Sequence, residues 1–168
     1  MALSVDDVRV FLDPDEPDYE RVRDLGPDAL SALAQLVQGT DAMLASKAAY
    51  AAGVIGTPAA VTVLEHAARS PVPAVRVAAA AAVGELTPHL GAPVLLALLG
   101  DGDSGVRRQA LGSAAGRSDP ALRSRIQQLS QTDPVARLRT MAREFGRPPR
   151  PRANEDDSPP GRSKPSSP

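Results

Sequence analysis

His66 and His89 are the only histidines in this 168-residue chain, and they stand 23 positions apart. A metal held from one helix needs ligands three or four residues apart on one face, and neither histidine has such a companion. Glu65-His66 occurs as a single copy, so His66 reads as a solvated helix residue. Cysteine is absent, which removes disulfides, thiolate metal sites and Cys nucleophiles together and fits a reducing compartment. The serines lie in no nucleophile-elbow motif and have no evident base. Gly100, Gly102 and Gly105 sit in a turn between helical patterns, and no GxxxxGK[ST] loop is present to cradle a phosphate. The acids of residues 1–28 lack the order of a calcium loop. The expectation is a chain without catalytic centre, metal or cofactor.

Arginine is the remaining reactive resource, and it is unevenly placed. Residues 105–152 hold eleven Arg against three acids, whereas residues 1–28 hold nine acids against three Arg. The formal net charge of −1 hides this segregation. Such a map bears on partners: phosphates or acidic peptides at the basic end, and a head-to-tail attraction between copies of an otherwise monomeric chain. Aromatic residues make up only 2% of the chain (Phe11, Tyr19, Tyr50, Phe145), and Trp is absent. Base stacking therefore has few platforms, which leaves phosphate-dominated nucleic-acid binding as the alternative to a protein partner.

The elements that would position these side chains are repeated. LASKAAYAAGVIG from Leu44, VRVAAAAAVGEL from Val75 and VRRQALGSAAGR from Val106 align with a step of 31 residues. A weaker copy, DPVARLRTMARE, begins at Asp133. Prolines 27, 58 and 93 open a first helix in each unit, where a missing N–H costs nothing. Asp41, Asp103 and Asp133 are placed to cap the second helices. The spacing predicts helix pairs at 27–38 with 41–55, 58–69 with 73–86, 92–99 with 104–115, and 120–130 with 134–145. No stretch alternates with period two, so no strand is expected. Ser4 and Asp7 form a capping-box pattern before a short amphipathic helix, and Tyr19 to Leu25 forms a second short turn. The start of the chain has no basic, apolar leader, and no apolar run reaches the ~18 residues of a membrane span; a cytoplasmic protein is expected. After Gly146 the sequence holds seven prolines, four serines and no large apolar side chain, the composition of a disordered tail; its RPPRPR run at 147–152 reads as linker.

These repeats resemble the HEAT family. The copy LLALLGDGDSGVRRQALGSA from Leu95 carries the pattern most fully: an apolar first helix, an Asp-rich turn, then Val-Arg and spaced alanines. The resemblance covers about residues 27–145 and implies an all-α, right-handed solenoid of about four helical hairpins. Its units would be 27–56, 57–87, 88–117 and 118–146, behind an acidic helical cap at 1–26 and before the tail at 147–168. It also implies that the second helices line a concave groove, and that Arg76, Asp103 and Arg107 link neighbouring units. The groove would then present Lys47, Tyr50, Arg108, Gln109, Arg139 and Arg143. Helix 73–86 is apolar all round, so Ala78 and Ala81 would add a shallow apolar floor. The function expected is a non-enzymatic scaffold that grips a peptide or helix of another protein over these residues.

Overall fold

A computed structural model describes residues 3–146 of the chain; the tail expected at 147–168 lies outside them. The described residues form α-helices and one 3-10 turn, with no strand among them. The helices are α1 (Val5–Leu12), α2 (Tyr19–Leu25), α3 (Leu30–Val37), α4 (Ala42–Ile55) and α5 (Ala60–Ala68). They continue as α6 (Pro73–Glu85), α7 (Ala92–Leu98), α8 (Ser104–Ala114), α9 (Pro120–Thr132) and α10 (Ala136–Phe145).

Short polar side chains start half of these helices. Ser4 and Asp7 close a reciprocal capping box on α1, and Asp18, Asp41, Asp103 and Asp119 accept backbone N–H groups at the starts of α2, α4, α8 and α9. Pro73 and Pro120 open α6 and α9 at positions that need no donor. Pro27 instead falls in the 3-10 turn Gly26–Ala29, so α3 begins three residues later than its proline suggests. Asp133 is not the cap of α10. It ends α9 and lies two residues before the true N-cap, Val135.

The helices stack as two layers. First helices α3, α5, α7 and α9 meet in sequence on one side, and second helices α4, α6, α8 and α10 on the other. Helices α1 and α2 continue these layers, α1 against α3 and α2 against α4. Their Val8, Leu12 and Val22 are fully buried, so the amino-terminal hairpin closes the apolar end of the stack. Leu33, Leu64, Leu95 and Leu122 fill the space between layers, each contributing roughly 1.5–3 kcal/mol by burial.

Small residues set the spacing of the second helices. Ala48, Ala49, Ala51 and Ala52 of α4 are fully buried, as are Ala79, Ala80 and Ala82 of α6. At Gly53 even a methyl group would collide with the backbone of Ala82. One unit on, Gly84 stands against Ser113 at 3.2 Å from where its Cβ would lie. The next pair in register is Ala115 and Phe145, both larger, and there α10 stands off α8 and leans on α9. Helix α6 buries Val75, Ala79, Ala80, Ala82 and Val83 but leaves Val77, Ala78 and Ala81 half-buried, which answers its all-round apolar character.

Candidate functional site

A ladder of arginines joins successive units. Arg76 of α6 donates from Nε and Nη2 to Asp101 at 2.7 and 2.9 Å, and from Nη1 to the carbonyls of Ser70 and Pro71 in its own turn. Arg107 of α8 repeats the arrangement one unit on. Its Nε and Nη2 meet Asp133 at 2.8 and 3.1 Å, and its Nη1 meets the carbonyls of Asp101 and Gly102. These bonds hold the carboxyls of Asp101 and Asp133 below the usual carboxylate range. Asp103 takes no part in the ion pairs; it caps α8 through Gly105 and Val106. Asp101 and Asp133 are the partners, each two residues before an N-cap; cap logic passed over Asp101 and took Asp133 for the cap itself.

The same register decides Arg139. It was expected in the groove, but its Nη1 donates to the carbonyls of Asp133 and Pro134, as Arg76 and Arg107 do in their own turns. The fourth copy is offset by one residue from the 31-residue step, so position 139 matches 107 rather than 108. Arg143 is exposed on the last turns of α10 and lines neither hollow described below. Lys47 is likewise engaged: its Nζ donates to the carbonyls of Leu12 and Pro14 at 3.1 and 2.8 Å, fastening the amino-terminal hairpin to α4.

Arg117 had no sequence signal beyond following Gly116. Its guanidinium is buried, and its donors reach the carbonyls of Val83, Leu86, Thr87, Pro88, Leu90 and Ser113. It thus satisfies the carboxyl end of α6 and the following loop with one side chain, where a positive charge suits the helix dipole. Burial without a carboxylate lowers its pKa.

Among the described residues, two hollows lie on the second-helix layer. The larger, about 620 Å³, has Ala81, Gly84, Gly112 and Gly116 in its lining and Tyr50 and Glu85 at one side. Tyr50 donates from Oη to Glu85 at 2.9 Å and meets the ring of Tyr19 edge-on at 4.9 Å between centroids. Burial and this carboxylate raise the Tyr50 pKa. The smaller hollow, about 310 Å³, opens where α10 stands off α8 and is flanked by Arg108, Arg137, Val77 and Val135. Gln109 lines both, so the two hollows adjoin at this residue, and together they make a track with Tyr50 at one end and Arg137 at the other. Of the residues expected there, Tyr50, Ala81, Arg108 and Gln109 line this track, and Ala78 is half-buried on α6 beside them. Gly112 and Arg137 join them, Arg137 being visible only once the offset of the last unit is known.

His66 sits on exposed helix with its Nδ1 2.8 Å from the Thr62 carbonyl, and Glu65 pairs loosely with Arg69. Among the described residues no group of three or more acids and histidines is arranged to hold a metal ion, and no helix is long and apolar enough to cross a membrane.

Residues 60–90 match the family described as HEAT repeat, over α5, α6 and the loop that follows. No curated protein matches the sequence. Among solved structures the fold is similar to a chain in the complex of CpcE and CpcF of phycocyanin lyase from Nostoc sp. PCC7120. That similarity has a TM-score of 0.64 at 20% sequence identity and covers 84% of this chain and 96% of that one. It corrects the expectation that the chain is no enzyme: a chain of this fold is found in a lyase complex, so the architecture is no ground for setting catalysis aside. Residues 60–90 thus match a HEAT repeat, set in an all-helical solenoid that carries the same two-layer packing to either side.

Proposed function

We propose that the chain binds another protein along the second-helix track, holding an acidic helix or peptide with its backbone over the small residues and its carboxylates at Arg108 and Arg137. The observation that carries this reading is the adjacency of the two hollows, which share Gln109. A floor of Ala81, Gly84 and Gly112 admits a close backbone approach, and at Gln109 it adjoins a hollow flanked by two guanidinium groups. Neither Arg108 nor Arg137 has an ion pair among the described residues, so both charges are available to a ligand. Phosphate-dominated binding finds less support, since Arg107, Arg117 and Arg139 of the basic half are spent on internal carbonyls and carboxylates. The similar solved structure is itself a complex of two proteins, which supports membership of an assembly here. The absence of cysteine supports a cytoplasmic setting.

The test is quantitative capture of bound proteins from native lysate by four forms of the chain: wild type, Arg108→Glu, Gly112→Leu, and Thr62→Glu on α5 in the other layer. The reading requires the same partner to be lost by the first two variants and retained by the third. A partner that ignores both groove substitutions would overturn it.

A further inference from the structure

The arginine ladder has a fixed register that runs past both of its occupied rungs. Arg76, Arg107 and Arg139 are each the fourth residue after the N-cap of a second helix, namely Val72, Asp103 and Val135. The aspartates they meet, Asp101 and Asp133, each precede the next N-cap by two residues. Arg139 is oriented by its own turn like the other two, with Nη1 at 2.6 Å from the Asp133 carbonyl. Among the described residues, however, no carboxylate bonds to its Nε or Nη2, the atoms that take the aspartate in the two complete rungs. At the opposite end, α2 occupies the second-helix layer and is capped by Asp18. The residue two before that cap is Glu16, an exposed carboxylate with no hydrogen bond or ion pair among the described residues.

We propose that these two half-rungs complete each other between copies of the chain, Arg139 of one taking Glu16 of a second in a head-to-tail contact. The geometry needed is the one already built twice inside the molecule, and the charges agree: the acids outnumber arginines nine to three over residues 1–28, and the balance reverses beyond Gly105. A second copy is the occupant favoured because the array presents the missing carboxylate at its other end, in the matching position. The contact is heterologous and does not close, so it builds open chains that lengthen with concentration. Glu16 is exposed and Arg139 is half-buried at the surface, so the contact is weak and sensitive to salt.

Sedimentation velocity of the full chain at about 20 mM and about 500 mM NaCl reads this directly, since screening shortens the reach of exposed charges several-fold between the two. The weight-average sedimentation coefficient is expected to rise with concentration at low salt and to stay constant at high salt. Glu16→Arg and Arg139→Glu should each abolish the rise, and the double variant should restore it, with circular dichroism showing the fold intact. Glu16 is exposed in a loop, so its reversal tests the contact even if Arg139→Glu perturbs α10. A wild-type chain that is monomeric at low salt overturns the inference, as does association that survives Glu16→Arg or a double variant that fails to recover it.

Discussion

Arg107 of α8 and Asp133 in the turn before α10 form a two-point ion pair whose carboxylate is fully buried and whose guanidinium is 8% exposed. The equivalent pair one unit earlier, Arg76 with Asp101, is wetter, at 17% and 11%. Breaking a buried pair from one side leaves a charge uncompensated, which costs about 3–5 kcal/mol, while partly solvated pairs cost less. Asp133→Ala and Arg107→Ala are therefore expected to lower the urea midpoint more than Asp101→Ala and Arg76→Ala. Equal losses at the two rungs would contradict the burial argument.

The same pairs make stability depend on pH in one direction. Both carboxyls have their folded pKa depressed, chiefly by the hydrogen bonds from Arg76 and Arg107. A depressed pKa means that the unfolded chain binds the proton more readily, so the stabilisation is complete above the unfolded value of about 3.9 and is lost as pH falls below it. Urea midpoints measured from pH 6 down to pH 3 should hold level and then drop. Asp133→Asn, lower at pH 6, should show a shallower drop.

Much of this fold was legible in the chain. The 31-residue step and the capping aspartates located the helices to within a few residues, because spaced alanines and short polar caps act locally. The ladder was half legible: Arg76 and Arg107 repeat in register, but their partners lie 25 and 26 residues away, and Asp103 fits the cap role that the turn also needs. The groove was harder to read. Lys47 and Arg139 have the right residue type and approximate register, yet nearby carbonyls claim their donors. A displacement of one residue in the last unit moved Arg139 out of the groove and Arg137 into it. Nothing in the sequence around Arg117 foretells that six carbonyls converge there.

Arg117 should be irreplaceable by lysine. An ammonium has three donors on a flexible stem and cannot serve carbonyls spread around a planar guanidinium. Arg117→Lys and Arg117→Met are each expected to lose about 2–4 kcal/mol, with carbonyls left unsatisfied in both. Hydrogen exchange should localise the loosening to the end of α6 and residues 86–91. A Lys variant of wild-type stability would contradict this.

Two glycines on the second-helix layer should respond oppositely to alanine. Gly53→Ala forces α4 away from the Ala82 backbone and should cost about 1–3 kcal/mol. At Gly112 the nearest atom to an added methyl is Met141 Cε at 4.0 Å, so Gly112→Ala should stabilise the exposed helix by up to about 1 kcal/mol. Thermal melts of the two variants distinguish an interface glycine from a groove glycine.

The most direct test of the proposed function is site-specific photocrosslinking in cells, with a photoreactive residue at Gln109 in the middle of the track or at Thr62 in the other layer. The account predicts a discrete crosslinked protein from position 109, lost when Arg108→Glu is added, and none from position 62. The same protein trapped from position 62 and not from position 109 would contradict it.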